Sequence, residues 1–304
     1  MRSREEALRR FAFAHHRPLR LAQLGLAAIG YLLCATVLAT NGLIGARGLG
    51  GGDVLAYWTA GSNVLAGAPV YGVGVGGYGA FLYLPPMAQL FAPLALLPFP
   101  AAAWVWRAVE LAGLRLAVGS WTNVGLALLL WPPIIPEIDS GNVHLLIAGA
   151  VAMSIRGRPG AIGPVALTKF ASLAAVPLAL VNRPRALAKG FAAVAVIVMV
   201  SAILAPRLWV DYFAFALHST AVDTGWANIG RDIPLPLRLG AAGLAALGAM
   251  RWPRLAAVAA TLALPVLWLT GLSVLIAGVA RPSDPNPLAT WMERRRSGPT
   301  LPSG

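Results

Sequence analysis

Long apolar runs dominate the chain, separated by short basic or proline-rich breaks. Runs near 21–44, 83–97, 99–118, 122–138, 141–155, 160–181, 186–206, 234–250 and 254–280 predict helices in a hydrocarbon layer about 30 Å thick. Several fall short of the roughly 20 residues that a straight spanning helix needs, so they predict half-helices or hairpins packed against protein. The pattern therefore predicts an all-α integral-membrane fold, a polytopic helical bundle of about 8–10 membrane segments in a single domain over 21–280.

The polar interruptions are informative. After the first apolar run comes GGDVLAYWTAGSNVLAGAPVYG, Gly51 to Gly72. Asp53 follows glycines and can cap a helix whose Val54, Tyr57, Trp58, Gly61 and Leu65 share one face, a face suited to lying flat on the outer leaflet. This predicts an outside loop of amphipathic interfacial helices over 45–82. A second non-membrane stretch, 207–233, carries Trp209, Tyr212 and Phe213, residues typical of the membrane interface. Between them, WPPIIPEIDSGN (131–142) breaks its helix with three prolines, and irregular backbone at that depth predicts a cavity lining.

Charge sets the expected topology. The basic residues 1–20 predict a cytoplasmic N-terminus and an uncleaved first anchor, which puts 45–82 outside. Simple alternation then separates SIRGRPG (154–160) from NRPRALAKG (182–190), although both are basic and both favour the cytoplasm. One segment between 99 and 181 is therefore expected to be re-entrant or miscounted. Residues 281–304, rich in Pro and Ser with an arginine triplet, predict a disordered cytoplasmic tail.

Composition agrees with a membrane location: 58% of residues are hydrophobic, 12% are charged and mean hydropathy is +0.71. The net charge of +13 would suggest nucleic acid in a soluble chain, but here the cations lie between apolar runs and suit topology and anionic lipid, with no nucleic-acid partner. Cys34 lies within the first apolar run and reads as a buried, inert side chain. His15, His16, His144 and His218 have no ligand spacing, and GVGVGG (72–77) follows no strand, so neither metal nor cofactor is expected.

Several residues could carry chemistry. Lys169 sits in an apolar segment, where a charge points to function unless it snorkels to the interface. His144 could bond a ligand or a neighbouring helix. Glu110, flanked by Arg107 and Arg115, reads as part of an ion pair near a helix end. Asp53 is a helix cap or a reactive carboxylate. Asp211, His218, Asp223 and Arg231 belong to the second polar stretch, where a solvated loop face explains them as well as substrate contact does.

Asp53 with Tyr57, the turn Gly67-Ala68-Pro69-Val70-Tyr71, the stretch Tyr83-Leu84-Pro85-Pro86, the helix end from Pro93 to Pro98, IDSGNVHLLIAGA and the lysine-bearing VALTKFASLAAVPLALVNRPR follow one another in order. This set resembles the polyprenol-phosphate-mannose-dependent mannosyltransferases of glycosyltransferase family 87, in the GT-C class of membrane enzymes. The resemblance implies a GT-C-like bundle in the cell membrane with its active site facing outside. It implies inverting transfer of a hexose, mannose above all, from a polyprenyl-phosphate donor to a glycolipid or envelope-glycan acceptor. Asp53 would be the general base, and Tyr57, Tyr83, Asn142, His144, Lys169, His218 and Arg231 would contact substrates. Asn142 and His144 depart from the Gln and Asn of the family's turn, and ALPVLWLTGLS keeps Pro265 and Trp268 without the family's histidines. A transporter or flippase, or a non-catalytic family member, is the alternative.

Overall fold

The computed structural model describes residues 16–42, 51–72, 81–218 and 228–296. The described residues are helical, joined by turns and one isolated β-bridge, Asn228 with Trp268. Two helices, α1 (His16–Gly42) and the later Pro184–Leu204, are long and apolar enough to cross a membrane.

The polar segment after α1 forms α2 (Gly52–Ala66), and two features differ from expectation. Its N-cap is Gly51, in the left-handed region at φ 74°, with no side-chain cap bond, so Asp53 lies inside the first turn and is not the cap. Its Val54, Tyr57 and Gly61 are buried against protein, so that face does not lie on a leaflet. Gly61 explains the close fit: a Cβ there would meet the backbone of Phe91, the last residue of α3 (Pro85–Phe91).

Proline and glycine break the apolar runs at defined points. α4 (Phe99–Val118) ends at Gly119, φ 89°, and α5 (Trp121–Leu130) leaves at 99° after a Ser120 cap that accepts from the Asn123 N–H. The proline-rich stretch yields α6 (Ile134–Ser140), a helix of two turns that ends at Gly141, φ 76°. α7 (His144–Ile155), about 18 Å long at 1.5 Å per residue, runs from this point back through the core.

The run after α7 is broken into short helices that fold back as a hairpin. Pro159–Ala161 turns into α8 (Ile162–Ala166), and a 3₁₀ stretch, Phe170–Ala175, returns into α9 (Val176–Asn182). Ser172 bonds the Ile162 carbonyl across this hairpin. α10 (Pro184–Leu204) starts beside the hairpin's entry, so closely that a Cβ on Gly190 would run into the Gly160 carbonyl. The basic stretch 156–160 and the basic start of α10 thus lie side by side, and Lys169 sits at the hairpin tip in the interior.

α11 (Pro206–His218) is amphipathic; its Tyr212 and Phe215 pack on Tyr71. α12 (Leu235–Gly248), α13 (Leu255–Leu262) and a 3₁₀ stretch, Leu269–Val279, complete the bundle. The stretch 281–304 differs from a wholly disordered tail, because Pro287–Arg296 forms α14. Its proline at the first position and three arginines in the last turn suit a helix and its dipole. Residues 43–50, 73–80, 219–227 and 297–304 lie outside the described residues, and with them most of the glycine motif at 72–77 and Asp223.

Candidate active site

The break after α6 creates the site. The Gly141 turn lets the chain reverse into α7, and Trp106 holds the turn by donating to the Gly141 carbonyl at 2.7 Å. Arg107 donates to the Ile138 and Asp139 carbonyls at 3.3 Å each, and the Gly51 N–H donates to the Asp139 carbonyl at 2.7 Å. These bonds tie the start of α2 to the end of α6, which brings Asp53 beside Asn142.

Asn142 is the hub. Its Nδ2 donates to Asp53 Oδ2 at 2.9 Å, while its Oδ1 accepts from Lys169 Nζ at 2.9 Å and from the Val143 N–H at 2.8 Å. The partners fix which end of the amide is oxygen, since a lysine ammonium only donates. Lys169 Nζ also meets His144 Nε2 at 3.0 Å, and His144 Nδ1 meets Glu137 Oε2 at 2.8 Å. A continuous polar chain therefore runs from Asp53 through Asn142, Lys169 and His144 to Glu137. It lies in an apolar core, where His144 and Glu137 are fully buried.

Two tyrosines form one wall. The Tyr57 and Tyr83 hydroxyls lie 2.8 Å apart with their rings edge to face, and the Lys169 ammonium stands 5.8 Å from the Tyr83 ring centroid. Tyr71 donates to the Tyr83 carbonyl at 2.8 Å, which ties the Gly-x-Pro-x-Tyr turn to this wall. Burial pushes the Asp53 carboxyl above the ordinary aspartate value, and the Lys169 ammonium pulls it partly back. The Asp53 Oδ1 atom makes no hydrogen bond among the described residues.

The structure thus gathers Asp53, Tyr57, Tyr83, Asn142, His144 and Lys169, and it corrects other expectations. Lys169 does not snorkel outward, because its ammonium is claimed by two buried partners. Arg231 is exposed in a surface turn, 3.5 Å from Asp232, and none of its bonds reaches this cluster. His218 ends α11, and its side chain lies outside the described residues. Glu110 forms no ion pair with Arg107 or Arg115: it is fully buried and neither of its oxygens has a hydrogen-bond partner.

Glu137 is the member that sequence reasoning did not single out. The available signal was an acid in an apolar, proline-broken stretch seven residues before a histidine. No group of three or more metal-ligating side chains occurs among the described residues.

No curated protein and no solved structure matches the chain. A family model described as glycosyltransferase family 87 matches residues 81–293, which takes in Tyr83, Glu137, Asn142, His144 and Lys169, with Asp53 and Tyr57 just before it. The apolar helices and the extent of that match together place the protein: it is a helical membrane protein, and the chain belongs to glycosyltransferase family 87.

Proposed function

We propose that this glycosyltransferase moves a hexose, mannose in the first instance, from a polyprenyl phosphate to a glycolipid or envelope-glycan acceptor at the outer face of the cell membrane. The observation that carries this reading is the Asp53–Asn142–Lys169 chain. It sets a carboxylate and an ammonium on the two sides of one amide, the two charges that such a transfer needs.

In this mechanism the acceptor hydroxyl gives its proton to Asp53 as its oxygen attacks the anomeric carbon from the face opposite the phosphate. The bond from that carbon to the phosphate oxygen breaks, its electron pair leaves on the phosphate, and the anomeric configuration inverts. Asp53 Oδ2 is occupied by Asn142, which leaves Oδ1 to take the proton. Lys169 has three N–H donors, two of them used by Asn142 and His144, so the third can meet the phosphate where negative charge grows. The Tyr83 ring beside Lys169 is the proposed sugar contact, with fully buried Tyr57 behind it and bonded to its hydroxyl.

Charge distribution supports the orientation. Arg156 donates to the Leu116 and Ala117 carbonyls, the Ser283 N–H to the Ile155 carbonyl, Arg294 to the Val181 carbonyl and the Leu288 N–H to the Met250 carbonyl. These bonds collect Arg156, Arg158, Arg183, Arg185, Arg251, Arg281 and the α14 arginines at the end of the bundle away from Asp53. By the excess of Lys and Arg found in cytoplasmic loops, that end faces the cytoplasm and the Asp53 end faces outside.

The test is transfer from labelled polyprenyl-phosphate-mannose to endogenous lipid, in vesicles carrying equal amounts of wild type or Asp53→Asn. Loss of a general base is expected to cost about a hundredfold to ten-thousandfold in rate. Full activity in Asp53→Asn would remove Asp53 from the chemistry, and absence of transfer by the wild type would exclude this donor.

A further inference from the structure

The mechanism above leaves the far end of the polar chain unused. Glu137 spends both carboxyl oxygens on one residue: Oε1 accepts the His144 backbone N–H at 2.7 Å, and Oε2 lies 2.8 Å from His144 Nδ1. Both side chains are fully buried. A contact of this kind fixes the rotation of an imidazole ring as well as its place on the helix.

The direction of every bond follows from the lysine. An ammonium has donors only, so at 3.0 Å from Lys169 Nζ the His144 Nε2 atom must accept. Neutral imidazole with an accepting Nε2 carries its proton on Nδ1, and that N–H donates to Glu137 Oε2. The opposite tautomer would aim Nε2–H at the ammonium, donor against donor.

We infer that Glu137 is a positioning residue: it holds His144 as the Nδ1–H tautomer, so that Nε2 and Asn142 Oδ1 together aim the Lys169 ammonium at the donor's phosphate. This rests on the proposed reading for the role of Lys169, whereas the tautomer follows from the bond geometry with Lys169 as the ammonium. The local sequence makes the device possible. Pro133 and Pro136 keep α6 short, and Gly141 reverses the chain so that residue 137 faces the first turn of α7. The same carboxylate oxygen that caps the His144 N–H also supplies one of the partners a helix N-terminus lacks.

The primary measurement is the ¹⁵N spectrum of histidine-labelled protein in lipid at neutral pH, with His144 assigned by comparison with His144→Ala. Wild type is expected to show His144 protonated at Nδ1 alone. In Glu137→Gln the amide cannot accept from both the backbone N–H and Nδ1–H, so the signal should shift toward the Nε2–H form or a mixture. A wild-type spectrum protonated at Nε2, or an unchanged tautomer in a folded Glu137→Gln, would overturn the inference.

The kinetic arm uses the same vesicles. Glu137→Gln is expected to raise the apparent KM for the polyprenyl-phosphate sugar and lower kcat/KM about 10- to 100-fold, the scale seen when the partner orienting a functional histidine is lost. Its effect should fail to add to that of Lys169→Met, because both act on one ammonium. Additive losses, or a fall in kcat at unchanged KM, would sever Glu137 from Lys169. Since the tautomer is read without turnover, failure of the positioning role is distinguishable from failure of the proposed donor: an inactive wild type with the Nδ1–H tautomer would sink only the latter.

Discussion

At the scale of single residues, Asp53 is shaped by opposed forces. Burial raises its carboxyl above the ordinary aspartate value, Lys169 lowers it, and the Asn142 amide holds the charged form in place. A base must be ionised to work, so activity should be lost as pH falls through this raised value. The acid limb of the kcat/KM profile is therefore expected above the usual carboxylate range. Replacing Lys169 by Met removes the largest opposing influence and should move the limb of the residual activity further up; a limb that moves down, or stays put, would show that another group titrates. His144 and Lys169 were legible in the sequence as polar groups in apolar runs, Asp53 as the acid of a polar interruption and Asn142 through the family resemblance, but their mutual contacts were not. Glu137 was hidden because an acid beside prolines reads as loop polarity until its partner, seven residues on, is seen across a helix reversal. Arg231 lies apart from this cluster, beside Asp232; a cation in a polar loop says nothing about which way it points.

At the scale of elements, glycines decide how closely the helices approach. Gly113 of α4 faces the Leu145 carbonyl of α7, and Gly149 faces Gly113 in return, so a side chain at either would meet backbone. This close crossing positions the α7 N-terminus and with it Asn142 and His144. Small residues at such crossings supply much of the packing energy that apolar surface supplies in water. Gly113→Val is expected to lower stability by about 1–3 kcal/mol, as overpacking does, visible as a lower melting temperature in detergent. Gly25 in α1 has open space where its Cβ would be, so Gly25→Ala should leave melting unchanged or raise it slightly; equal losses in both variants would make helix propensity irrelevant and the crossing unimportant. Hydropathy located these segments but not their form. Proline and glycine cut 122–138 and 160–181 into short pieces, and a hydropathy run carries no record of where a helix bends.

At the scale of the whole molecule, Arg156, Arg158, Arg183, Arg185, Arg251, Arg281 and the α14 arginines sort to one end and the polar chain to the other, whereas Arg107 sits beside that chain and Arg231 on the Asp232 turn. Cysteines placed singly at Arg158 and Arg185, in a chain with Cys34 replaced by Ala, are expected to react with an impermeant maleimide from the same side of the membrane. A cysteine at Asp232 should react from the other side. Opposite labelling of the first two would mean that residues 160–182 cross the membrane instead of turning back. The apolar content, the basic breaks and the order of short motifs were enough, without coordinates, for a helical membrane protein of this family, because hydrophobic length and charge asymmetry act locally on each segment. They also left one middle segment as re-entrant or miscounted. What only the tertiary structure decided was that Asp53 leaves its helix cap to Gly51 and reaches Asn142, and that Glu137 closes the chain through His144. The Asp53–Asn142 and Lys169–His144 contacts join residues 89 and 25 positions apart, and the Glu137–His144 contact needs the helix reversal at Gly141; no local pattern records such contacts.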